Sequence, residues 1–372
     1  MSNIMLKKRN NNCFEQFNYD VMDICERIEL IMSEPTEEVI TREDLRKLLE
    51  TKSRPRHYIG FEISGMPHIG HILVAGKKIN DLEKAGVETQ VLLADWHTVA
   101  NNKLGGDWER IRTASEFYKR LFNTVCPNTK VVLGSDLYSG NDDYWKLVIQ
   151  MARKTTMARA TRTLIIEGRS EKDTLHVSQY IYPILQAADI HALDVDIPHA
   201  GVDQRRVHML AKELFKDLRL REIVPLHHHL LASLAEPPKV ELTAEKEEIV
   251  AAMKMSKSKP GSAISILSTT EEIKKILDGA WSPVKVVDEN PVLELCRYVI
   301  LPSLGKLVVR RNEKYGGDIE FDSFKELEAY YKEGKLHPAD LKSAVAENLD
   351  VLIKPIRDKF INEKEELLRL FY

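Results

Sequence analysis

HYIGFEISGMPHIGHILVAGKKINDLEKAG, residues 57–86, holds one strand-to-helix unit from which the rest of the chain can be ordered. HYIGFEIS is a short β-rich run ending in Ser-Gly, and IGHILVAGKKINDLEKAG keeps helical spacing up to Gly86, a residue suited to stop a helix. Where a strand turns into a helix, α/β folds bind phosphates, because free amides and the helix dipole favour anions there. His68-Ile69-Gly70-His71 stands at that turn. Gly70 lets a base or ribose approach the backbone, and His68 and His71 can donate hydrogen bonds to polyphosphate. Four residues alone are weak evidence, since two histidines capping a helix read the same way.

Upstream, an amphipathic stretch lies around Val21–Met32, and Thr41 with Asp44 three residues later opens TREDLRKLLE as an N-capped helix. Downstream, VETQVLLADWHTVA reads as a second buried strand, residues 107–126 as a helix, and TKVVLGSD as a third strand. Helical patterns fill 141–190. DVDIPHAG and REIVPLHHHLL follow as strands, with the helix VHMLAKELFKDL between them. Strands alternating with helices predict an α/β, mostly parallel sheet covered on both faces. Residues 235–264 are rich in Pro, Lys, Glu, Ser and Gly and read as a connector, and 270–372 carries mainly helical patterns. A chain of 372 residues fits two such domains.

Hydrophobic residues make up 43% of the chain and charged residues 30%, a globular composition without any apolar stretch long enough to span a bilayer. MSNIMLKKRNNN has no apolar segment after its basic patch, so it does not read as a secretory signal. Cys13, Cys25, Cys126 and Cys296 are scattered with no CxxC pair, which argues against a zinc ribbon or a disulfide framework and suits the cytoplasm. Net charge is −3, so nucleic-acid binding would need local basic surface. Arg153, Lys154, Arg159, Arg162 and Arg169 form such a stripe, with Glu167 opposing them. His227-His228-His229 points alternately to opposite strand faces, and is read as structural, lining or flanking a nucleotide site rather than as a metal centre.

The second chemical motif is Lys254-Met255-Ser256-Lys257-Ser258-Lys259 in the connector. Lysines spaced by small hydroxyl residues can neutralise charge that develops on a departing pyrophosphate. With His68–His71 before it, this run resembles the HIGH and KMSKS signatures of class I aminoacyl-tRNA synthetases. Three further segments, Tyr58-Ile59-Gly60-Phe61-Glu62, Tyr182 through Asp189, and Gly201-Val202-Asp203-Gln204-Arg205, resemble the pocket of tyrosyl-tRNA synthetases of the archaeal and eukaryotic type. Tyr182, Gln186 and Asp189 fall at i, i+4 and i+7, so they share one helix face. A phenol and a buried carboxylate suit a substrate hydroxyl, and such a site rejects the analogue that lacks it.

That resemblance, which runs from about residue 37 to 360, implies a Rossmann-like class I catalytic domain over 37–265, a mainly α-helical anticodon-binding domain over 266–372, and an N-terminal extension over 1–36. It implies that Tyr58 and Asp189 hold the hydroxyl of tyrosine, with Gly60 beside them. Tyr182, Gln186 and Gln204 would take the α-amino end. His68, Gly70, His71, Asp203, Lys254, Met255, Ser256, Lys257 and Ser258 would bind ATP with its Mg2+, with His68, His71, Lys254 and Lys257 stabilising charge during the reaction. Arg162, Arg205, Arg206 and Met209 would meet the acceptor stem of tRNA(Tyr). Tyr315, His337 and Asp340 would read its anticodon, although Asn312 stands where relatives carry proline. A homodimer is implied too, with Phe117, Leu121, Phe122, Trp145 and Leu147 as candidates for its contact. The rival readings are a tryptophanyl-tRNA synthetase, a small-molecule nucleotidyltransferase and a non-catalytic RNA-binding paralogue. The Tyr58/Asp189 pair argues against the first, the helical C-terminal region against the second, and the intact motifs against the third.

Overall fold

The computed structural model describes residues 22–164, 176–237, 254–255 and 263–372. Its main sheet has six strands: β1 (Thr36–Val39), β2 (Arg56–Phe61), β3 (Glu88–Leu93), β4 (Lys130–Leu133), β5 (Ile197–Gly201) and β6 (Leu226–His228). They lie in the order β1-β6-β5-β2-β3-β4, and only the β1–β6 pair is antiparallel. The chain therefore builds outward from β2 to β4, then returns to the other side of β2 with β5. The crevice at the carboxyl ends of β2 and β5 is the switch point where open α/β sheets bind ligands. Every residue of β5, and all of β3 after its first, is buried, as expected of strands covered on both faces.

Local chemistry accounts for the element ends. Thr41 and Asp44 form a reciprocal capping box at the start of the helix Arg42–Thr51. The helix after β2 begins as a widened π-type stretch, Gly70–Ala75, and continues as α-helix over Gly76–Lys84. Gly86 stops it at φ 78°, with the Val87 amide donating to the Leu82 carbonyl at 3.0 Å. The expected strand over 87–100 is shorter than its sequence suggests. It ends at Leu93, and Asp95–Ala100 is a helix whose first residue, Asp95, accepts the amides of Trp96 (2.9 Å) and Ser135 (3.0 Å). Likewise the third strand ends at Leu133 and Gly134–Tyr138 is helical.

The helix Ile24–Met32 lies within the stretch set apart as an extension. Ile28 and Ile31 are fully buried against Leu45, Leu49 and Leu82. Its C-terminus is closed by a buried cation: Lys78 Nζ donates to the carbonyls of Leu30 (3.1 Å), Ile31 (3.3 Å) and Ser33 (2.8 Å). Burial brings the pKa of Lys78 down to about 8.

Beyond residue 270 the helices Thr270–Asp278 and Pro338–Phe360 pack together, and a small antiparallel hairpin, β7 (Leu307–Val309) with β8 (Ile319–Phe321), interrupts the helical pattern. Phe117 on the helix Trp108–Val125 meets the rings of Phe360 at 5.4 Å and Phe371 at 5.9 Å. Phe117, Leu121 and Phe122 are thus spent on the chain's own core and are not available for a subunit contact. Trp145 and Leu147 pack, partly buried, against a second core around Tyr144 and Ile184. Among the described residues no helix is long and apolar enough to cross a membrane.

Candidate active site

A cavity of about 310 Å³ opens at the switch point. β2 brings Tyr58 and Gly60 to it, the following turn His68, Gly70 and His71, and the helix Val177–Ala192 presents Tyr182, Gln186 and Asp189. Asp203 and Gln204 follow β5, and Lys254 and Met255 close the rim. Ser256, Lys257, Ser258 and Arg169 lie outside the described residues.

The deep end is chemically suited to a phenol. Tyr58 and Asp189 are each 1% exposed. Tyr144 donates its hydroxyl to Asp189 Oδ1 at 2.8 Å, and His97 Nε2 stands 3.5 Å from Oδ2. Burial raises the Asp189 carboxyl to about 7, against the hydrogen bond from Tyr144, which favours the ionised form. Burial also drives His97 down to about 4, so it is a neutral imidazole, perpendicular to Tyr182 with ring centroids 4.6 Å apart. Burial and then the Asp189 charge push the Tyr58 hydroxyl well up, with the nearby Gln186 amide acting the other way. Tyr138 stacks on Tyr144 at 4.7 Å and fixes that ring in turn.

The outer end suits phosphates and a ribose. The rings of His68 and His71 lie 4.1 Å apart. His68 Nδ1 accepts the Gly70 amide (3.1 Å), and His71 Nδ1 accepts the His68 amide (3.3 Å). Each Nδ1 being an acceptor, the neutral ring carries its proton on Nε2 as a donor. Gly70 is required because a Cβ there would stand 2.8 Å from His68 Cε1. A Cβ at Gly201 would fall 2.5 Å from Leu230 and 2.9 Å from the Asp203 carboxylate, so that turn too needs glycine. Lys254 Nζ reaches Asp203 Oδ2 at 2.8 Å. Both chemical motifs are tied to their surroundings by backbone bonds: Ile69 donates to Ile264 (3.1 Å), and Met255 to Leu231 (2.6 Å).

The three consecutive histidines divide between faces as strand geometry demands. His228 joins a buried row, His57 to His199 at 3.0 Å and His199 to His228 at 2.8 Å, which burial keeps neutral. His227 faces the other way, to His208 (3.0 Å) and Glu38 (2.8 Å). His229 lines the cavity between Glu37 and Glu294. Burial opposes its charge, but the two neighbouring carboxylates, Glu294 and Glu37, outweigh that and lift its pKa to about 9. Among the described residues no cluster of three or more His, Cys, Asp or Glu is placed to hold a metal ion. Cys126 and Cys296 are free and buried, and Cys25 is free and exposed.

The residues expected to meet RNA lie outside the cavity. Arg206 Nη1 donates to the Arg162 carbonyl at 3.3 Å, so these two sit together, with Met209 one turn along from Arg205 and Arg206. Arg205 is held by Glu38 at 2.8 Å. Within the basic stripe Arg159 is paired twice with Glu213 (3.0 and 2.8 Å), and Glu167 lies outside the described residues. Tyr315 is 63% exposed, His337 caps the helix Pro338–Phe360 through Ala339, and Asp340 lies half-buried in its first turn. Asn312, at the departure from proline, caps the turn that carries Tyr315.

Sequence reading missed His97, Tyr138 and Tyr144. His97 lies just beyond the carboxyl end of β3, a position that could have flagged it. Tyr144 carries no local signal, because its partner is 45 residues away.

A family profile described as tRNA synthetases class I (W and Y) matches residues 50–354. A tyrosine–tRNA ligase of Pyrococcus abyssi is 43% identical over 366 residues, covering 93% of this chain and 97% of the relative. A crystal structure of tyrosyl-tRNA synthetase from Pyrococcus horikoshii, complexed with L-tyrosine, matches with a TM-score of 0.88 at 43% identity, covering 94% of this chain and 99% of that one. Another from Archaeoglobus fulgidus, also complexed with L-tyrosine, gives 0.80 at 41% identity over 91% and 99% of the two chains.

Proposed function

The chain belongs to the class I tRNA synthetase family of the tryptophan and tyrosine enzymes, and we infer that its reaction is tyrosine–tRNA ligation. Tyrosine is activated with ATP to tyrosyl-adenylate and pyrophosphate, and then passes to the 3′ end of tRNA(Tyr). The observation that carries the reading is one cavity whose deep end pairs Tyr58 with Asp189 and whose outer end holds His68, His71 and Lys254. No side chain needs to act as nucleophile. The tyrosine carboxylate attacks the α-phosphorus, and the site positions the two and meets the developing charge.

Tyr58 and Asp189 take the tyrosine hydroxyl, and Tyr182, Gln186 and Gln204 take the α-amino end. His68 and His71 donate from Nε2 to the phosphates, Asp203 takes the ribose, and Lys254 with Lys257 neutralises departing pyrophosphate. Mg2+ enters with ATP on its phosphates, as part of the substrate. The test is tyrosine-dependent exchange of labelled pyrophosphate into ATP. Exchange is expected with tyrosine and not with tryptophan or phenylalanine; exchange driven by tryptophan alone would overturn the assignment.

The same reading gives the catalytic role to 37–265 and anticodon reading to 266–372, in a cytoplasmic homodimer. Exposed Ile149, Met157, Val177 and Ile181, on three helices packed together, support a subunit contact there. Arg162, Arg205, Arg206 and Met209 hold the acceptor stem of one tRNA, while Tyr315, His337 and Asp340 of the other subunit hold its anticodon. Arg162→Ala and Asp340→Ala should each weaken charging of tRNA and spare pyrophosphate exchange. Mixed dimers of the two variants should regain charging, because one tRNA path in each keeps both residues. Mixed dimers no better than their parents would rule out the shared grip.

A further inference from the structure

Glu294 lies on the helix Pro291–Leu295, well outside the α/β sheet in sequence, yet its side chain reaches Ala232 and the cavity-lining His229. Oε2 accepts the backbone amide of Ala232 at 2.9 Å. The same oxygen stands 3.4 Å from His229 Nε2, and His229 is a cavity-lining residue whose other nitrogen faces Glu37. Ala232 forms an antiparallel bridge with Lys254, and one residue away Met255 donates its amide to Leu231. Lys254 then extends to Asp203 at 2.8 Å. One carboxylate thus holds both the histidine wall and the short strand pairing that presents the lysine.

The surroundings make the hook stiff. The His229 ring stacks on Tyr298, four residues after Glu294, with centroids 3.8 Å apart and planes 15° apart. Arg297 lies over the same Tyr298 ring at 5.0 Å and pairs with Glu34 at 2.7 Å. The Trp281 amide donates to the Leu234 carbonyl at 2.8 Å, a second tie between the C-terminal region and the strand end that leads to Ala232. Among the described residues, the Glu294 side chain meets the Ala232 amide and His229, and it reaches Lys254 through the Ala232 strand.

We propose that Glu294 is a positioning residue for the activation step, hooking the Ala232 amide so that the paired strand sets Lys254 at the nucleotide end of the cavity. The proposal rests on the reading of Lys254 as the group that meets phosphate charge. It makes the C-terminal region a structural determinant of ATP chemistry, with no contact to ATP. A carboxylate is not essential to the hook; a carbonyl oxygen at the same place also accepts an amide, so Glu294→Gln should retain it while Glu294→Ala should not.

The experiment is single-turnover formation of tyrosyl-adenylate by the full chain, with tyrosine affinity measured separately without ATP. Glu294→Ala should slow activation about tenfold or more and leave tyrosine Kd within about twofold, while Glu294→Gln stays within about threefold of the wild type. In a Lys254→Ala background, Glu294→Ala should add less than about a twofold further loss, because the group it positions is already gone. Full additivity of the two substitutions, or equal losses in tyrosine binding and activation, would overturn the proposal. Should Glu294→Ala not fold, a loss in Glu294→Gln as large as that of Lys254→Ala would overturn it too. A Lys254→Ala variant with normal activation would instead overturn the reading of Lys254, a distinguishable result.

Discussion

Asp189→Ala should cost roughly 2–4 kcal/mol in transition-state binding of tyrosine, the scale for losing a charged hydrogen-bond partner in a dry pocket. The residue is 1% exposed and holds the Tyr144 hydroxyl at 2.8 Å, so its loss also leaves that buried phenol without its acceptor. Phenylalanine has no hydroxyl to lose, and in the proposed reading it is disfavoured because it offers Tyr58 and Asp189 no partner in place of the water it displaces. Removal of Asp189 therefore narrows the preference for tyrosine from both directions. The measurement is kcat/KM in pyrophosphate exchange for both amino acids. Equal losses would mean that Asp189 only supports the fold around Tyr144.

The same carboxyl predicts a pH dependence. Burial raises its pKa to about 7, so the ionised acceptor dominates above that value and the neutral acid below it. An ionised acceptor binds a phenol more strongly, so tyrosine affinity should fall as pH drops through 7, approaching roughly tenfold per unit below it. In Asp189→Asn the dependence should vanish. A flat tyrosine profile in the wild-type enzyme between pH 6 and 8 would show that Asp189 does not titrate against the substrate.

Local patterns carried the parts of the site that could be read in advance. Tyr182, Gln186 and Asp189 share a helix face because their spacing does, and His68–His71 sit at a strand-to-helix turn whose two periodicities meet in the sequence. What stayed hidden depends on the return of the chain. Tyr144 reaches Asp189 across 45 residues, and Glu294 reaches Ala232 across 62. His97 lies in a run, LLADWHT, whose local pattern fits a strand and a helix alike. The contacts that anchor it as a helix come from elsewhere in the chain, the Ser135 amide on Asp95 and the Ile63 amide on the Thr98 hydroxyl. The stripe Phe117, Leu121 and Phe122 shows the same ambiguity. An apolar helix face fits a subunit contact and a core equally well until Phe360 and Phe371 arrive from the end of the chain to cover it.

Lys254→Ala should slow tyrosyl-adenylate formation by roughly 10²–10³, the range seen when one preorganised donor to developing charge is removed. Lys254 Nζ lies 2.8 Å from Asp203 Oδ2, and Asp203 is the carboxylate proposed for the ATP ribose. Before ATP arrives the lysine therefore occupies a group that the nucleotide needs, and it is freed for the phosphates when the ribose displaces it. Losing the lysine removes this competition along with the transition-state contact. The expected signature is a large fall in kcat for activation with KM for ATP unchanged or lower, a pattern that marks loss of transition-state rather than ground-state binding. The proposed tyrosine site lies at the far end of the cavity, so tyrosine Kd without ATP should stay within about twofold. Single-turnover activation over a range of ATP concentrations separates the two parameters. A raised KM for ATP with kcat preserved would show that Lys254 only holds the nucleotide in the ground state, and its role in neutralising the departing pyrophosphate would pass to another group.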